Sequence, residues 1–409
     1  MQVLLADKLE DRCLEALRAL GLTVHNRPEL KEAALSEALS ALNPEILVVR
    51  STRVTAEMME AAPALELIIR AGAGYDTIDV GAASDRGIFV ANCPGKNAVA
   101  VAELTFGLIL ALDRFIPENV LDAREGRWNK AAYSKGRGLK GRTLGVIGLG
   151  HIGREVVRRA HAFEMPVVAW SRSLTDELAR ELGVVRKNSP LEVAAEADIV
   201  TIHLAATPET RHLANRAFFE AMKPGAYFIN TSRSSLVDEE ALAWALEHRG
   251  IRAALDVMEG EPAAKSGSFS HPLAGHPQVY FTHHIGASTK QAQEAIADEV
   301  VRIIKTYLET GHAPNCVNLE VHSPATHLLT VRHLDKVGVL ASVLDEVRRA
   351  NWNVQEMENL IFAGARAACA RIRFDGRPDE DVVQRIAALP DVLAVSLIPL
   401  ETTKPEEQP

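Results

Sequence analysis

Short apolar runs alternate with segments of helical length along most of the chain. The runs MQVLLA, EILVVR, ELIIRAG and GIFVANC are separated by amphipathic stretches such as DRCLEALRALG. A second series begins at TLGVIGLG and continues through PVVAWS, ADIVTIHL, GAYFINTS, IRAALDV and VYFTHH. Such alternation is typical of parallel strands joined by crossover helices. The pattern therefore predicts two consecutive doubly wound units.

Two longer segments have helical patterns. NAVAVAELTFGLILALDRFIPENV, between the two series, is apolar on nearly every side and predicts one helix buried between the units. TKQAQEAIADEVVRIIKTYLETG, after the second series, is amphipathic and predicts a helix that ends at Gly311. The stretch HAPNCVNLEVHSPA then predicts a linker.

The last part of the chain has a different order of elements. HLLTVRHLD, NVQEMENLIF, ACARIRF and VLAVSLIPL predict strands, and GVLASVLDEVRRA and DEDVVQRIAAL predict helices. The order strand, helix, strand, strand, helix, strand predicts a ferredoxin-like antiparallel sheet covered on one face. The expected fold class is α/β, with two doubly wound Rossmann-like domains and a C-terminal ferredoxin-like α+β domain. The expected domains are 1–95 with 286–315, 96–285, and 325–400.

Composition narrows the class of protein. The chain has 409 residues, 47% hydrophobic and 24% charged, which is enough for two or three domains with buried cores. Its net charge of -9 argues against a nucleic-acid partner. The four cysteines lack metal-ligand spacing, so no metal site is expected. The beginning, MQVLLADKLEDRC, lacks the pattern of a secretory signal, and no apolar run is long enough for a membrane span, so we expect a cytoplasmic protein.

The turn after the first strand of the second series predicts a dinucleotide site. Gly148, Gly150 and Gly153 have G-x-G-x-x-G spacing between a strand and a helix, with His151 and Ile152 among them. Glycines there let a pyrophosphate approach backbone N–H groups at the helix N-terminus. The acidic residue that usually holds the ribose is absent, because Ser171 and Arg172 follow the next strand. Two roles for Arg172 stay open: contact with the extra phosphate of NADP, or a solvated position over the adenine.

Three motifs at later strand ends carry candidate chemistry, since open α/β sheets bind ligands there. INTSRSSLVDEEAL contains Arg233, LDVMEGEP contains Glu261, and FTHHIGAST contains two histidines. Oxidation of a secondary alcohol needs a base for the hydroxyl proton, and histidine suits both directions of the reaction. A carboxylate behind the imidazole would orient it, and an arginine would bind an α-carboxylate by a forked pair of hydrogen bonds.

Together these motifs resemble the D-2-hydroxyacid dehydrogenase family, and in particular its phosphoglycerate dehydrogenase branch. The matching segments include IIRAGAGYDTIDVGAASDRGIFVANCPGKNAVAVAELTFGLILAL, GRTLGVIGLGHIG, MKPGAYFINTSRSSLVDEEAL, AALDVMEGEPA and THHIGAST, all in order. The resemblance implies that Arg233 binds the carboxylate, that Glu261 orients the imidazole, and that His284 is the acid/base. His283 stands where the family usually has proline, and we expect no chemistry from it.

The resemblance also implies further contacts. Those with the cofactor, besides the glycine turn and its neighbours, are expected at Thr231, Ser232 and Asp256. Those with the substrate are expected at the backbone N–H groups of Ala71, Gly72, Ala73 and Gly74, at Arg50, Arg53 and Asn97, and at Lys130 from a neighbouring subunit.

The C-terminal segment LLTVRHLDKVGVLASVLDEVRRANWNVQEMENL resembles an ACT domain, a module that pairs across subunits and binds an amino acid at the interface. The resemblance places His333, Asp335 and Asn353 where serine-regulated relatives bind their inhibitor, although those relatives have asparagine in place of Asp335. Two interpretations stay open: L-serine feedback, or a domain used only for assembly.

The resemblance as a whole implies oxidation of 3-phospho-D-glycerate to 3-phosphohydroxypyruvate, with NAD or else NADP, by a homo-oligomer that is a dimer or a tetramer. A hydroxypyruvate or glyoxylate reductase of the same family is the nearest alternative, because Ser171 and Arg172 suit NADPH. A corepressor-like NAD sensor without catalysis is the alternative from another class.

Overall fold

The fold is described from a computed structural model, which covers residues 1–262, 267–320 and 323–400. The chain forms two compact units, Met1–Asn318 and Leu319–Pro409. The first unit contains two parallel sheets and the second contains one antiparallel sheet. The expected fold class is therefore confirmed.

The first sheet is built by the beginning of the chain. Its strands lie in the order β2-β1-β3-β4-β5, and all neighbours are parallel. The interiors of β1, β3, β4 and β5 are apolar because helices cover both faces, whereas the edge strand β2 contains His25 and has no buried residue. The strands are β1 Gln2–Leu5, β2 Thr23–Asn26, β3 Ile46–Val49, β4 Leu67–Arg70 and β5 Phe89–Asn92, and the helices are α1 Asp11–Ala19, α2 Glu32–Leu42, α3 Ala56–Glu60 and α4 Val80–Asp85.

The segment that links the two sheets is interrupted rather than one continuous helix. It forms α5 Ala98–Arg114, α6 Ile116–Arg124 and the short α7 Lys130–Tyr133. The break lies at Phe115, whose φ of 52° is left-handed, and Pro117 follows, which has no N–H to continue the hydrogen-bond ladder. Only α5 is buried, since α6 has no buried residue. The expectation of one buried helix was thus wrong beyond Arg114.

The second sheet has strand order β12-β11-β10-β9-β6-β7-β8 and is also entirely parallel. The chain crosses from one side of β6 to the other, so the turns after β6 and β9 lie beside each other, which is where such sheets bind dinucleotides. The strands are β6 Leu144–Ile147, β7 Val167–Trp170, β8 Val185–Arg186, β9 Ile199–Ile202, β10 Tyr227–Asn230, β11 Arg252–Leu255 and β12 Val279–Phe281, and the helices are α8 His151–Ala162, α9 Asp176–Leu182, α10 Pro190–Glu196, α11 Arg216–Ala221 and α12 Glu239–Arg249.

The long helix α13, Lys290–Thr310, returns to the first sheet after the second sheet is complete. Its residues Ile296, Val300 and Ile303 share a buried core with Val3 and Ile46 of the first sheet. The helix ends at Gly311, which has a φ of 70°, as its sequence predicts.

The second compact unit has the predicted order of elements. It consists of β13 His327–Leu334, α14 Val339–Arg349, β14 Asn353–Ile361, β15 Ala367–Asp375, α15 Glu380–Ala387 and β16 Val392–Pro399. The sheet order is β14-β15-β13-β16 with all neighbours antiparallel. Both helices contribute to the core on one face. Within the described parts of the chain, no helix combines the length and apolar character that a bilayer crossing requires.

Candidate functional site

The glycine-rich turn after β6 has no room for a side chain at two of its three glycines. Gly148 has a φ of 98°, and a Cβ there would lie 2.3 Å from the carbonyl oxygen of His203. A Cβ on Gly153 would lie 2.0 Å from the carbonyl oxygen of Gly148. Gly150 precedes α8 and has open space around it. The first N–H groups of α8 therefore face a gap that an anionic group can enter.

The end of β7, where a ribose is expected, carries no carboxylate. Ser171 is half-buried there and Arg172 is exposed. The pKa of Glu209 lies below its usual range, chiefly because of the Thr207 hydroxyl, and the charge of Arg172 contributes to the shift. This end of the sheet therefore presents a cation near a surface carboxylate.

The side chains of Thr231 and Ser232 are used within the protein. The Thr231 hydroxyl lies 3.1 Å from that of Thr105, and the Ser232 hydroxyl donates to the carbonyl of Ile202 at 2.7 Å. Both residues are buried. The Ser232 N–H also donates, to Oδ1 of Asn230 at 3.0 Å, so only the remaining lone pairs of the two hydroxyls and the Thr231 backbone are left for a cofactor, and such a contact stays a prediction.

The buried carboxylate of Asp256 holds the turn that carries His284. It is 1% exposed. It accepts from the Thr282 hydroxyl at 2.5 Å and from the N–H groups of Ile285 at 2.9 Å and Gly286 at 2.8 Å, while its own carbonyl accepts from the His284 N–H at 2.9 Å. The sequence suggested a contact with the cofactor for Asp256, which stays a prediction. The hydrogen bonds of Asp256 within the chain show that it also holds this turn in place.

His284 and Glu261 form a hydrogen-bonded pair. Nδ1 of His284 lies 2.8 Å from a carboxylate oxygen of Glu261, and the other Glu261 oxygen accepts from the Met258 N–H at 3.0 Å. The bond to Glu261 raises the pKa of His284. Burial works to raise the pKa of Glu261, but the bond from His284 and its charge outweigh burial and lower it. With Nδ1 occupied, Nε2 is the ring nitrogen that can exchange a proton with a ligand.

Arg233 follows β10 and faces the loop after β4. Its Nη2 lies 3.0 Å from Oδ1 of Asp76, and its Nη1 donates to the carbonyl of Ser232 at 2.8 Å. A Cβ on Gly74 would lie 1.9 Å from Nη2, so glycine is required for the guanidinium to lie against this loop. The charge of Arg233 also acts on Glu261 and His284. The structure thus brings together all three predicted catalytic side chains.

A further arginine, Arg70, belongs to the same cluster and was missed from the sequence. A Cβ on Gly72 would lie 1.6 Å from its Nη1, and its buried Nε has no hydrogen-bond partner among the described residues. Burial, and then the charge of Arg233, lower the pKa of Arg70 to about 10. A cation whose buried donor has no partner costs free energy, and binding of an anion would remove that cost. The signal in the sequence was its place directly before AGAG at a strand end.

The predicted backbone contacts in AGAG need a correction. The Ala71 N–H donates to the Val49 carbonyl, and the Gly72 N–H donates to the Arg70 carbonyl, each at 2.7 Å. These two groups are therefore spent on the strand and its turn. In the described parts of the chain the N–H groups of Ala73 and Gly74 have no acceptor, so they alone stay predicted donors to a ligand.

The other predicted substrate residues differ in their surroundings. Arg50 donates to Gln293 at 2.8 Å, and its charge acts on Arg70. Asn97 has a buried Oδ1 without a partner among the described residues. Arg53 is exposed, and its charge acts on Glu57 instead. Lys130 is exposed at the start of α7, and its predicted contact requires a second subunit.

The three predicted effector residues lie in the second compact unit. Asp335 and Asn353 are exposed. His333 is 2% exposed, with Nδ1 2.8 Å from the Leu334 carbonyl and Nε2 3.2 Å from Oδ1 of Asn359. Both ring nitrogens are therefore engaged within this unit, and a contact of His333 with an effector stays a prediction.

A parallel sheet with this glycine turn after β6, and with a His–Glu pair after β11 and β12, is the arrangement of a dinucleotide-binding dehydrogenase. The family model for the NAD-binding domain of D-isomer specific 2-hydroxyacid dehydrogenases matches residues 106–286. The TT0316 protein from Thermus thermophilus is 36% identical with a TM-score of 0.69, over 78% of this chain and 100% of its own. A glyoxylate reductase from Paecilomyes thermophila is 30% identical with a TM-score of 0.69, over 78% of this chain and 98% of its own. The chain belongs to the D-isomer specific 2-hydroxyacid dehydrogenase family.

Curated relatives include the D-3-phosphoglycerate dehydrogenase of Methanocaldococcus jannaschii. It is 40% identical over 321 residues, which are 78% of this chain and 60% of that protein. The chain thus spans less than two thirds of the length of this relative.

Replacing Gly148 by alanine tests the glycine turn. Its φ and the carbonyl of His203 leave no room for a Cβ, so we expect the turn to shift and the affinity for NADH or NADPH, whichever wild type binds more tightly, to fall ~10-fold or more. Fluorescence titration measures the affinity. Gly107→Ala, at a helical position with no heavy atom near its Cβ, should bind like wild type. Unchanged affinity in Gly148→Ala would contradict this account of the turn.

Proposed function

We propose that the protein is a D-3-phosphoglycerate dehydrogenase, which oxidises 3-phospho-D-glycerate to 3-phosphohydroxypyruvate, a first step toward L-serine. The observation that carries the proposal is the grouping of Arg233, Arg70 and Arg50 beside the His284–Glu261 pair. A substrate with both a carboxylate and a phosphate neutralises such a cluster better than one with a single anionic group. The printed name of the Methanocaldococcus jannaschii relative supports the same substrate.

The chain's own residues divide the chemistry as follows. Arg233 binds the substrate carboxylate and polarises the neighbouring C–O bond. Nε2 of His284 takes the hydroxyl proton during oxidation and returns it during reduction. Glu261 keeps the proton of His284 on Nδ1 and stabilises the imidazolium that forms. A bound nicotinamide ring would supply the hydride acceptor.

The substrate phosphate is assigned to the remaining cations. Arg70 has an unused buried donor, and Arg50 is close enough for its charge to act on Arg70. Asn97 has a buried Oδ1 without a partner among the described residues, and we assign its amide N–H groups to an oxygen of the substrate. Lys130 of a second subunit completes the set, whereas the exposure of Arg53 gives it the weakest support.

We assign NAD as the cofactor and expect NADP to be usable as well. The end of β7 lacks the carboxylate that would repel a 2′-phosphate, and exposed Arg172 offers a cation instead. The alternative of a glyoxylate or hydroxypyruvate reductase draws on the same pair of residues and on the glyoxylate reductase among the structural neighbours. The half-buried arginine cluster favours the phosphorylated substrate.

We also propose a homo-oligomer, a dimer or a tetramer, in the cytoplasm. Exposed apolar side chains on α6 and the following turn support a subunit contact there, and they are Ile116, Val120, Leu121 and Trp128. The edge strand β14 is exposed at every residue except half-buried Gln355, and it supports a second contact between sheets. L-serine is the proposed effector at that second contact, where Asp335 can bind its ammonium group.

The pH dependence of turnover tests the His284–Glu261 pair. Oxidation requires neutral His284, so its rate rises with pH through the pKa, which the bond to Glu261 raises. Glu261→Gln should lower that pKa and move the rise to lower pH, with kcat reduced ~10-fold or more by lost orientation. In the reduction direction, the fall in rate should also move to lower pH.

The control for this variant is Glu259→Gln, which removes an exposed carboxylate from the same loop. It should keep the pH profile of kcat/KM measured for wild type. A Glu261→Gln profile that coincides with wild type would contradict the assigned pair.

Steady-state assays with 3-phosphoglycerate, glycerate and lactate, each with NAD and NADP, test the substrate. The highest kcat/KM is expected for 3-phosphoglycerate. Arg70→Ala should lower that value ~10-fold or more, through loss of charge-assisted hydrogen bonds, and affect glycerate much less. Arg27→Ala, at an exposed arginine after β2, is the matched control.

Other outcomes of these assays decide between the alternatives. Faster reduction of glyoxylate with NADPH supports the reductase, and no turnover of any 2-hydroxy acid supports the sensor. The same assays with millimolar L-serine should show reduced turnover, and unchanged turnover would reject the effector.

A further inference from the structure

The loop after β4 contains an acidic residue, Asp76, that contacts the proposed catalytic arginine from the other sheet. Oδ1 of Asp76 lies 3.0 Å from Nη2 and 3.3 Å from Nε of Arg233. Asp76 follows β4 of the first sheet and Arg233 follows β10 of the second, both within the compact unit Met1–Asn318. The contact therefore connects the two sides of the site. Asp76 was not among the predicted site residues, and the family resemblance gave it no role.

The hydrogen bonds of Arg233 leave a defined pair of donors unused. A guanidinium has five N–H groups. Asp76 takes the one on Nε and one on Nη2, and the Ser232 carbonyl takes one on Nη1. One N–H on each terminal nitrogen remains, and together they form the end of the fork that matches a carboxylate. Asp76 thus occupies the side of the guanidinium and leaves its end for a ligand.

Asp76 also lies in the field of a second cation. The charges of both Arg233 and Arg70 act on it and lower its pKa, against the opposing effect of burial. Two guanidinium groups repel each other, and after burial the charge of Arg233 is the next cause that lowers the pKa of Arg70. A carboxylate near both allows them to stay together when no substrate anion is present.

The pair contributes little to folding stability, so a geometric role explains it better. Its side chains are 28% and 51% exposed for Arg233 and Asp76. Ion pairs this accessible are screened by water and add little to the free energy of unfolding. Loss of Asp76 should therefore leave the fold intact and release the guanidinium of Arg233 to rotate.

We propose that Asp76 is a positioning residue: it fixes the Arg233 guanidinium so that its two unused N–H groups face the substrate carboxylate, and it thereby sets the affinity for 2-oxo and 2-hydroxy acids. The proposal rests on the proposed function, because it takes Arg233 as the group that binds that carboxylate. It adds a residue that selects the substrate class without contacting the substrate.

Calorimetric titration of the full-length protein with oxamate, a 2-oxo-acid analogue, tests the proposal in the presence of saturating reduced cofactor. Asp76→Ala should weaken oxamate binding ~10-fold or more, because a rotating fork loses one of two paired bonds. Asp76→Asn retains an acceptor oxygen and should lose less. The affinity for reduced cofactor and the melting temperature should match wild type, and Asp85→Ala, at an exposed carboxylate of the same unit, should not change oxamate binding.

A double-mutant cycle separates positioning from simple loss of charge. Lysine has no fork to orient, so in an Arg233→Lys background the further change Asp76→Ala should alter oxamate affinity less than ~2-fold. Equal effects of Asp76→Ala in both backgrounds would overturn the proposal, as would oxamate binding that is unchanged or tighter in Asp76→Ala. If wild type binds no oxamate and oxidises no 2-hydroxy acid, the proposed function fails and this inference fails with it. If wild type does both, only the behaviour of the Asp76 variants bears on the inference.

Discussion

The site depends on the turn after β12, which a buried carboxylate holds in place. Asp256 accepts from the Thr282 hydroxyl and from the N–H groups of Ile285 and Gly286. Between those contacts His284 has a φ of 50°, in the left-handed region that non-glycine residues seldom adopt. Backbone strain of this kind persists only where the surrounding structure determines it, and such positions cluster at functional sites. Because the turn is fixed, the imidazole can meet Glu261 on one side and present Nε2 on the other.

The second constraint is the gathering of positive charge at the ends of β4 and β10. Arg70 and Arg233 lie close enough for their charges to interact, and glycines at positions 72 and 74 give their guanidinium groups the space they need. Side chains at those two positions would displace the arginines, so the glycines of AGAG serve the arginines as much as any ligand. Such a cluster costs free energy in the absence of an anion, and substrate binding would recover that cost. Under the proposed function, the same charges would both bind and orient the substrate.

The alternation of strands and helices could be predicted from the sequence because hydrophobic periodicity and turn residues depend directly on local structure. Both parallel sheets, the antiparallel sheet and the end of α13 at Gly311 follow from such patterns. The break at Phe115 was missed because the apolar pattern continues across it, and only Pro117 signals the new helix. The exposure of α6 was missed as well, because apolar residues in a sequence do not show whether the rest of the same chain covers them.

The site was harder to predict wherever it depends on contacts between distant segments. Arg233, Glu261 and His284 were found because each lies in a strand-end motif, and the structure brings them together. Arg70 and Asp76 were missed because Arg233, the partner that gives them a role, lies more than a hundred positions away, and the position of Arg70 directly before AGAG was the one local signal. The N–H groups of Ala71 and Gly72 were predicted to be free because the motif does not show that the first bonds to Val49 of the adjacent strand and the second to Arg70 in a tight turn. Motifs therefore identify chemical groups, whereas the availability of those groups depends on the fold.

The assignment of His284 as the proton carrier is the central claim, and the adjacent histidine provides an unusually close control. The decisive measurement is kcat for His284→Ala beside that for His283→Ala, with 3-phosphoglycerate and the preferred cofactor. We expect kcat to fall ~100-fold or more in His284→Ala, through loss of general acid–base catalysis, and to change less than ~3-fold in His283→Ala. Turnover near the wild-type rate in His284→Ala, or an equal loss in both variants, would contradict the account.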